Sequence, residues 1–244
     1  MNADLHYFNR YEFKYWVDPY VRDRLIEYLL NFMSFDKNNI DGKPYDICSL
    51  YLDTKNLSCY YEKYDGDVFR RKYRIRFYNG NVSRLSFEIK EKHNLYIKKK
   101  REIAQIDQEN PTEIPISLLN GEANLKGPFV HAYLSLNLEP TTWVAYQRVA
   151  LVGRNNPGLR VTFDDGLSGC KPNGFEFRTK NLQPVTLSRW HQKTILEIKF
   201  NNYLPFWLEQ CLKDLNLSHQ SISKYGMNIN RFFFYHHRER QWTL

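Results

Sequence analysis

The sequence predicts an α+β fold: an antiparallel β-barrel of about eight strands with helices packed outside. Three observations lead there. Apolar and polar residues alternate with period two over many short segments, the pattern of strands with one covered face. Most of these segments are joined by turn sequences that suit hairpins. Aromatic residues make up 16% of the chain, and Tyr and Phe favour strands. One barrel or sandwich of 244 residues is ordinary, so residues 1–244 read as a single domain, with a sandwich as the alternative.

"RYEFKYWV", 10–17, alternates as a strand. Asp18-Pro19 then reads as an N-cap with proline at the first helical position. Leu25, Leu29, Phe32 and Met33 form an apolar stripe, which predicts a helix over 19–33. "DICSLYLDT", 46–54, is a strand, and 56–64 a short helix. "FRRKYRIRFY", 69–78, turns at Asn79-Gly80 into "RLSFEIKEK", a hairpin. "LYIKKKREIAQI", 95–106, is a further strand. The Pro- and Gly-rich stretch after it predicts loop with short helices, then a helix over 129–137. "TTWVAYQRVALV" and "GLRVTFDDGL" are strands joined by the turn "GRNNP". "FEFRT" reads as a short strand and "TILEIKF" as a stronger one. In "YLPFWLEQCLKDLNL", the residues Leu204, Trp207, Leu208, Cys211, Leu212 and Leu215 share one helical stripe, which predicts an exterior helix.

The polar faces of these strands are charged. In 69–78, Arg70, Lys72, Arg74 and Arg76 share one face, while Tyr73, Ile75 and Phe77 share the other; Arg71 points away from the cations. Arg10, Glu12 and Lys14 share a face, as do Glu88, Lys90 and Lys92, and Glu197 and Lys199. Arg160 and Asp164 face together across from Val161 and Phe163. In 95–106 Lys99 and Arg101 share one face and Lys98, Lys100 and Glu102 the other, so its register stays ambiguous by one residue. A wet outer face accounts for any one of these strands. Taken together, with the apolar faces covered by helices, they predict a hydrated interior lined by cations and a few carboxylates. Like charges at such spacing repel, and a bound polyanion relieves the repulsion. Interleaved carboxylates suit a phosphate-bound Mg²⁺ or Mn²⁺, which takes one or two carboxylates plus phosphate oxygens.

The net charge of +8 points to an anionic partner. The four cysteines are scattered, with no C-x-x-C pair, and read as buried free thiols. No signal core and no run of about 18 apolar residues is present, so a cytoplasmic chain without a membrane segment is expected. No G-x-x-x-x-G-K-[ST] is found, which argues against a P-loop kinase. The seven histidines, His236-His237 included, have no metal-ligand spacing. The aromatics of "WVAYQR" and "RFFFYHHRERQW" read as core rather than a base-stacking surface, so no nucleic-acid partner is expected.

"RYEFKYWV", "SLYLDT", "RRKYRIRFY", "FEIKEK", "KKR", "YQRVAL", "LRVTFD", "LEIKF" and "SKY", in this order, resemble the VTC-type polyphosphate polymerases of the triphosphate tunnel metalloenzyme superfamily, over roughly residues 8–235. The resemblance implies a triphosphate tunnel of antiparallel strands, open at both ends. It also implies a Mn²⁺ or Mg²⁺ cofactor, and transfer of the γ-phosphoryl of ATP to a growing inorganic polyphosphate chain with release of ADP. Pyrophosphate or phosphate is the primer candidate. The implied phosphate-binding positions fall on Lys14, Arg74, Arg76, Lys90, Lys99, Arg148, Arg160 and Lys224, and the metal position on Glu197. From the face pattern, Arg10, Lys72, Arg101 and Lys199 are added as substrate contacts. Glu12, Glu88 and Asp164 are secondary candidates, with Glu12 and Glu88 as further metal ligands; holding neighbouring cations in place is the alternative role of all three. Two positions depart from the family pattern. Arg10 stands where the superfamily's first strand carries its first Glu, and Ser221 stands where a basic residue is usual. An inorganic or nucleoside triphosphatase of the same superfamily, and a non-catalytic polyanion-binding module, are the rival functions.

Overall fold

The computed structural model describes residues 10–94, 96–106, 111–120, 127–177, 182–185 and 193–234. His236-His237 and the basic tail after them lie outside these residues, as do Leu95, Arg178 and Thr179. The elements are β1 (Arg10–Val17), α1 (Pro19–Leu29), β2 (Met33–Phe35), β3 (Tyr45–Asp53), α2 (Ser58–Tyr64), β4 (Phe69–Tyr78), β5 (Asn81–His93), β6 (Tyr96–Gln105), α3 (Pro128–Ser135), β7 (Glu139–Gly153), β8 (Arg160–Cys170), β9 (Gln183–Pro184), β10 (Thr194–Asn201), α4 (Phe206–Asp214) and α5 (Lys224–Ile229), the last followed by a π turn at Asn230–Phe234.

The expected α+β class with an antiparallel sheet is found. The strand order is β1-β10-β8-β7-β3-β4-β5-β6, with β2 on β7 and β9 on β8, so the hydrogen-bonded path has two ends. Contacts divide the chain into two compact units. The first comprises Met1–Pro44, Arg148–Asp165 and Gln192–Ile222, and the second Tyr45–Gln147, Gly166–His191 and Ser223–Leu244. Each has its own core. In the first, Leu25 and Leu29 of α1 and Leu208 and Leu212 of α4 pack on Leu151, Val161, Phe163 and Leu196. In the second, Phe129 of α3 packs with Tyr73, Phe87 and Leu119. Burial of these apolar faces is the main favourable term in each unit.

The structure corrects several boundaries. α1 stops at Leu29, not at residue 33. Met33 belongs to β2 and pairs with Gly153 of β7, since a buried Met satisfies a helical stripe and a strand equally. Arg154 closes the helix end: its guanidinium donates to the carbonyls of Leu30 (2.7 Å) and Asn31 (3.5 Å). Asp18 precedes α1 as expected, but its carboxylate pairs with Lys193 (3.2 Å) and caps no backbone N–H. "FEFRT" forms no strand among the described residues; Glu176 makes only an isolated bridge to Glu113. Leu215 lies past the end of α4 and stays 37% exposed, off the stripe assigned to it. The four cysteines are free thiols, as expected, but only Cys48, Cys59 and Cys170 are buried; Cys211 is half-buried. No described helix is long and apolar enough to cross a membrane.

Candidate functional site

In the second unit, β4 turns Tyr73, Ile75 and Phe77 into the core. Alternation therefore sends Arg70, Lys72, Arg74 and Arg76 to the opposite face. The register builds rows across three strands. Lys72 stands opposite Lys90, and Lys90 opposite Lys99. Arg74, Glu88 and Arg101 form the next row, and Arg76 and Ser86 the one after. On the other side of β4, β3 sets Tyr51 opposite Arg74 and Ser49 opposite Arg76. Three lysines in one cross-strand row are mutually destabilising without an anion between them.

Glu88 ties this face together. It is 2% exposed. Arg74 donates to it from Nε (2.7 Å) and pairs through Nη2 (2.6 Å), Lys99 Nζ lies at 2.7 Å, and Arg101 Nε at 3.8 Å. Burial alone would raise its pKa, but Arg74, Arg76 and Lys99 hold the carboxyl well below the usual range. Lys99 moves the other way: partial desolvation, then Arg74 and Arg76, push its ammonium down to about 8 against the pull of Glu88.

Arg76 is the exception. It is 5% exposed, and its hydrogen bonds go to neutral hydroxyls, Nε to Ser49 Oγ (2.9 Å) and Nη2 to Tyr146 Oη (3.2 Å). No described carboxylate lies within 4.0 Å of it. A buried charge so poorly balanced is costly. Lys224, at the start of α5, is also buried, with Nζ 4.9 Å from the centre of the Tyr146 ring. Lys72 donates to Ser223 Oγ at 2.9 Å.

In the first unit, β1 and β10 pair so that Glu12 faces Lys199 and Lys14 faces Glu197. Both ammoniums reach both carboxylates. Lys14 Nζ lies 3.1 Å from Glu12 and 3.6 Å from Glu197; Lys199 Nζ lies 2.5 Å from Glu197 and 3.8 Å from Glu12. Lys14 also donates to the Ile222 carbonyl at 3.1 Å. On β8, Arg160 pairs with Asp36 at 2.5 Å. Arg148 of β7 makes a two-pronged pair with the buried Asp164, at 2.6 and 2.7 Å.

Residues 9–233 match the model of the VTC domain family. The chain belongs to the VTC domain family. Membership supports a triphosphate- or polyphosphate-related function of the phosphotransfer type. No curated protein matches this VTC domain in sequence. Among solved structures, a protein of Pyrococcus horikoshii OT3 is similar at 11% identity and a TM-score of 0.45, covering 91% of this chain and 98% of its own. A Vibrio parahaemolyticus protein that carries the provisional name adenylate cyclase is similar at 11% identity and a TM-score of 0.44, covering 89% and 96%. Likeness this loose bears on neither fold nor activity.

Among its described residues the VTC domain holds no group of three or more His, Cys, Asp or Glu side chains arranged for a metal. The carboxylates that do meet are Glu12 and Glu197. Thr162 stands opposite Glu197 on β8, and its buried Oγ1 has no hydrogen-bond partner among the described residues. Two carboxylates beside an unused hydroxyl suit the oxygen set of Mg²⁺ or Mn²⁺ when phosphates complete it. Glu88 sits in the other unit, engaged by three cations.

The structure thus gathers Lys72, Arg74, Arg76, Lys90, Lys99, Arg101 and Lys224 in the second unit of the VTC domain, and Glu12, Lys14, Arg148, Arg160, Glu197 and Lys199 in the first. Arg10 opens β1, but its side chain is outside the described part. Arg71 points away from the cationic face, paired with Glu62 of α2 at 2.5 Å. The register of β6 is settled: Lys99 and Arg101 join Glu88, and Lys100 pairs with Glu91 at 3.3 Å. Ser49, Tyr51, Ser86, Tyr146, Asp36 and Thr162 were missed as site residues. Ser49 and Tyr51 alternate with the apolar Leu50 and Leu52, a readable signal; their pairing with Arg76 and Arg74 is not written in the sequence.

Proposed function

We propose that this VTC domain is a metal-assisted polyphosphate polymerase that transfers the γ-phosphoryl of ATP to inorganic polyphosphate and releases ADP. The observation that carries the reading is the cationic face of β4, β5 and β6, where Lys72, Lys90 and Lys99 share one cross-strand row, Glu88 is the one carboxylate that these strands set among the cations, and the buried Arg76 is held by hydroxyls. Phosphate chains are the dense, flexible anions that suit such rows, with Arg forks matching phosphate oxygens and lysines acting as point charges.

In phosphoryl transfer the protein mainly positions the reactants and neutralises charge. Arg74 is held by Glu88 and Tyr51, so its guanidinium is already oriented before phosphate arrives. Arg76 and Lys224 meet at Tyr146 and would stabilise the negative charge on the transferring group. The attacking atom is a phosphate oxygen that is ionised near neutral pH, so no protein base has to remove a proton. Glu12 and Glu197 would hold a Mn²⁺ or Mg²⁺, which when bound supplies charge neutralisation on the phosphate oxygens. Lys14 and Lys199 would keep those carboxylates in place.

Incubation with ATP and Mn²⁺ tests the reading. Long phosphate chains plus ADP are expected, and orthophosphate as the sole inorganic product would overturn it in favour of a triphosphatase. Glu197→Gln is expected to abolish turnover while leaving inorganic tripolyphosphate binding largely intact. Unchanged turnover would remove Glu197 from the chemistry, and polyphosphate binding without any turnover in the unaltered protein would leave a polyanion-binding module.

A further inference from the structure

α5 is only six residues long and carries Lys224 as its first. A helix this short has little stability of its own, so its position is set by what holds it. Ser223 caps it, accepting from Gly226 N at 3.1 Å, and Ser223 Oγ also takes the Lys72 ammonium. The next residue, Tyr225, is 2% exposed. Its ring stacks on Tyr51 at 5.1 Å and 20°, and its hydroxyl donates to Asp53 Oδ2 at 2.6 Å.

Asp53, at the end of β3, is fully buried, and among the described residues no cation lies within 4.0 Å of it. Among the described residues, three backbone N–H groups and one hydroxyl donate to its two oxygens. Thr54 N (2.7 Å) and Cys59 N (2.9 Å) donate to Oδ1, and Tyr60 N (3.0 Å) and the Tyr225 hydroxyl donate to Oδ2. The carboxylate thereby caps α2, whose preceding residue Leu57 offers no side-chain cap. A buried carboxylate with every partner neutral is an expensive way to cap one short helix. The fourth bond gives it a second use.

We infer that Asp53 is a positioning residue: through Tyr225 it fixes the first turn of α5, and so sets Lys224 against the cationic face of β4. The inference rests on the phosphate-binding reading of Lys224. Tyr225→Phe tests it gently, because the ring keeps its stack on Tyr51 and loses only the hydroxyl. Titration with inorganic tripolyphosphate should show binding weakened about tenfold in Lys224→Ala, the order expected for one charge-assisted contact, and by a similar factor in Tyr225→Phe. The double variant should lose no more than either alone, since both act through one ammonium. Thermal unfolding of each variant keeps loss of fold separate from loss of binding.

Wild-type binding by Tyr225→Phe beside a weakened Lys224→Ala would overturn the positioning role and leave the phosphate reading standing. Losses that multiply in the double variant would likewise overturn it, because Tyr225 would then act on something other than Lys224. Wild-type binding by Lys224→Ala would overturn the phosphate reading of that residue and the inference with it.

Discussion

Arg76 and Arg148 are both buried guanidiniums, and their surroundings assign them opposite thermodynamic roles. Arg148 has a carboxylate of its own, Asp164, across two short bonds. Removing one partner of such a pair strands the other and costs about 3–5 kcal/mol. Arg76 has the hydroxyls of Ser49 and Tyr146 and the face of the Tyr78 ring, and no described carboxylate within 4.0 Å. Arg76→Ala should therefore weaken tripolyphosphate binding at least about tenfold with little or no fall in melting temperature, whereas Arg148→Ala should lower the melting temperature sharply. Titration and thermal unfolding of both variants check this, and a large loss of stability in Arg76→Ala would contradict it. Lys99 adds a pH signature. Its ammonium sits at about 8 instead of 10.5, so anion affinity should fall as pH rises through that value, and Lys99→Arg should remove the step. The sign for stability is the reverse. A base depressed in the folded state disfavours folding while charged, and that penalty fades as pH rises from about 8 toward the ordinary value. At this scale Arg74 and Arg76 were legible because alternation alone puts them on one face. Tyr51, Tyr146 and Ser49 were not, because a strand's sequence does not name its neighbour.

Elements were legible where chemistry was local and opaque where it was not. The Asn79-Gly80 hairpin follows from two residues, and Asn79 and Gly80 both have positive φ, 50° and 68°. The register of β6 was unreadable in isolation because cations occur on both its faces; Glu88, a residue of the neighbouring strand, decides it. The end of α1 was misread because the pairing that claims Met33 lies more than a hundred residues away. Gly169 in β8 is a case where the signal was present and unread. A glycine inside a strand often marks a close approach of another segment. Here that segment is α5: a Cβ at 169 would collide with Asn228 Oδ1 and the Trp143 carbonyl. Asn228 is fully buried and Trp143 belongs to the core, so neither has room to yield. Gly169→Ala should destabilise the protein by about 1–3 kcal/mol, the usual cost of overpacking. Denaturant unfolding measures it, and a stability within about 0.5 kcal/mol of wild type would mean that α5 does not press on β8.

For the whole molecule, the net charge of +8 says less than its distribution. The first unit's cluster sets Lys14, Arg148, Arg160 and Lys199 against Glu12, Asp36, Asp164 and Glu197, four cations to four carboxylates. In the second unit, β4, β5 and β6 place Arg70, Lys72, Arg74, Arg76, Lys90, Lys92, Lys99 and Arg101 on one face and set one carboxylate of their own, Glu88, among them, eight to one within these strands. Alternation in the sequence revealed that charged faces exist. It did not reveal this asymmetry, because which strands share a core and which carboxylate meets which cation are both long-range facts. The asymmetry has a thermodynamic consequence. The balanced cluster is satisfied without a ligand, while the unbalanced face stores repulsion that an anion relieves, so a polyanion should stabilise the folded protein by binding it and not the unfolded chain. At a tripolyphosphate concentration about 100 times its dissociation constant, the gain is about 2.7 kcal/mol. For a chain of this length that raises the melting temperature by roughly 5–10 °C. Potassium chloride at equal ionic strength screens the same repulsion without bridging the rows, and should give a much smaller rise. Thermal unfolding in the two solutions distinguishes them. Equal shifts would mean that the eight cations form a merely screened surface, and the case for a phosphate-chain site on β4, β5 and β6 would fall.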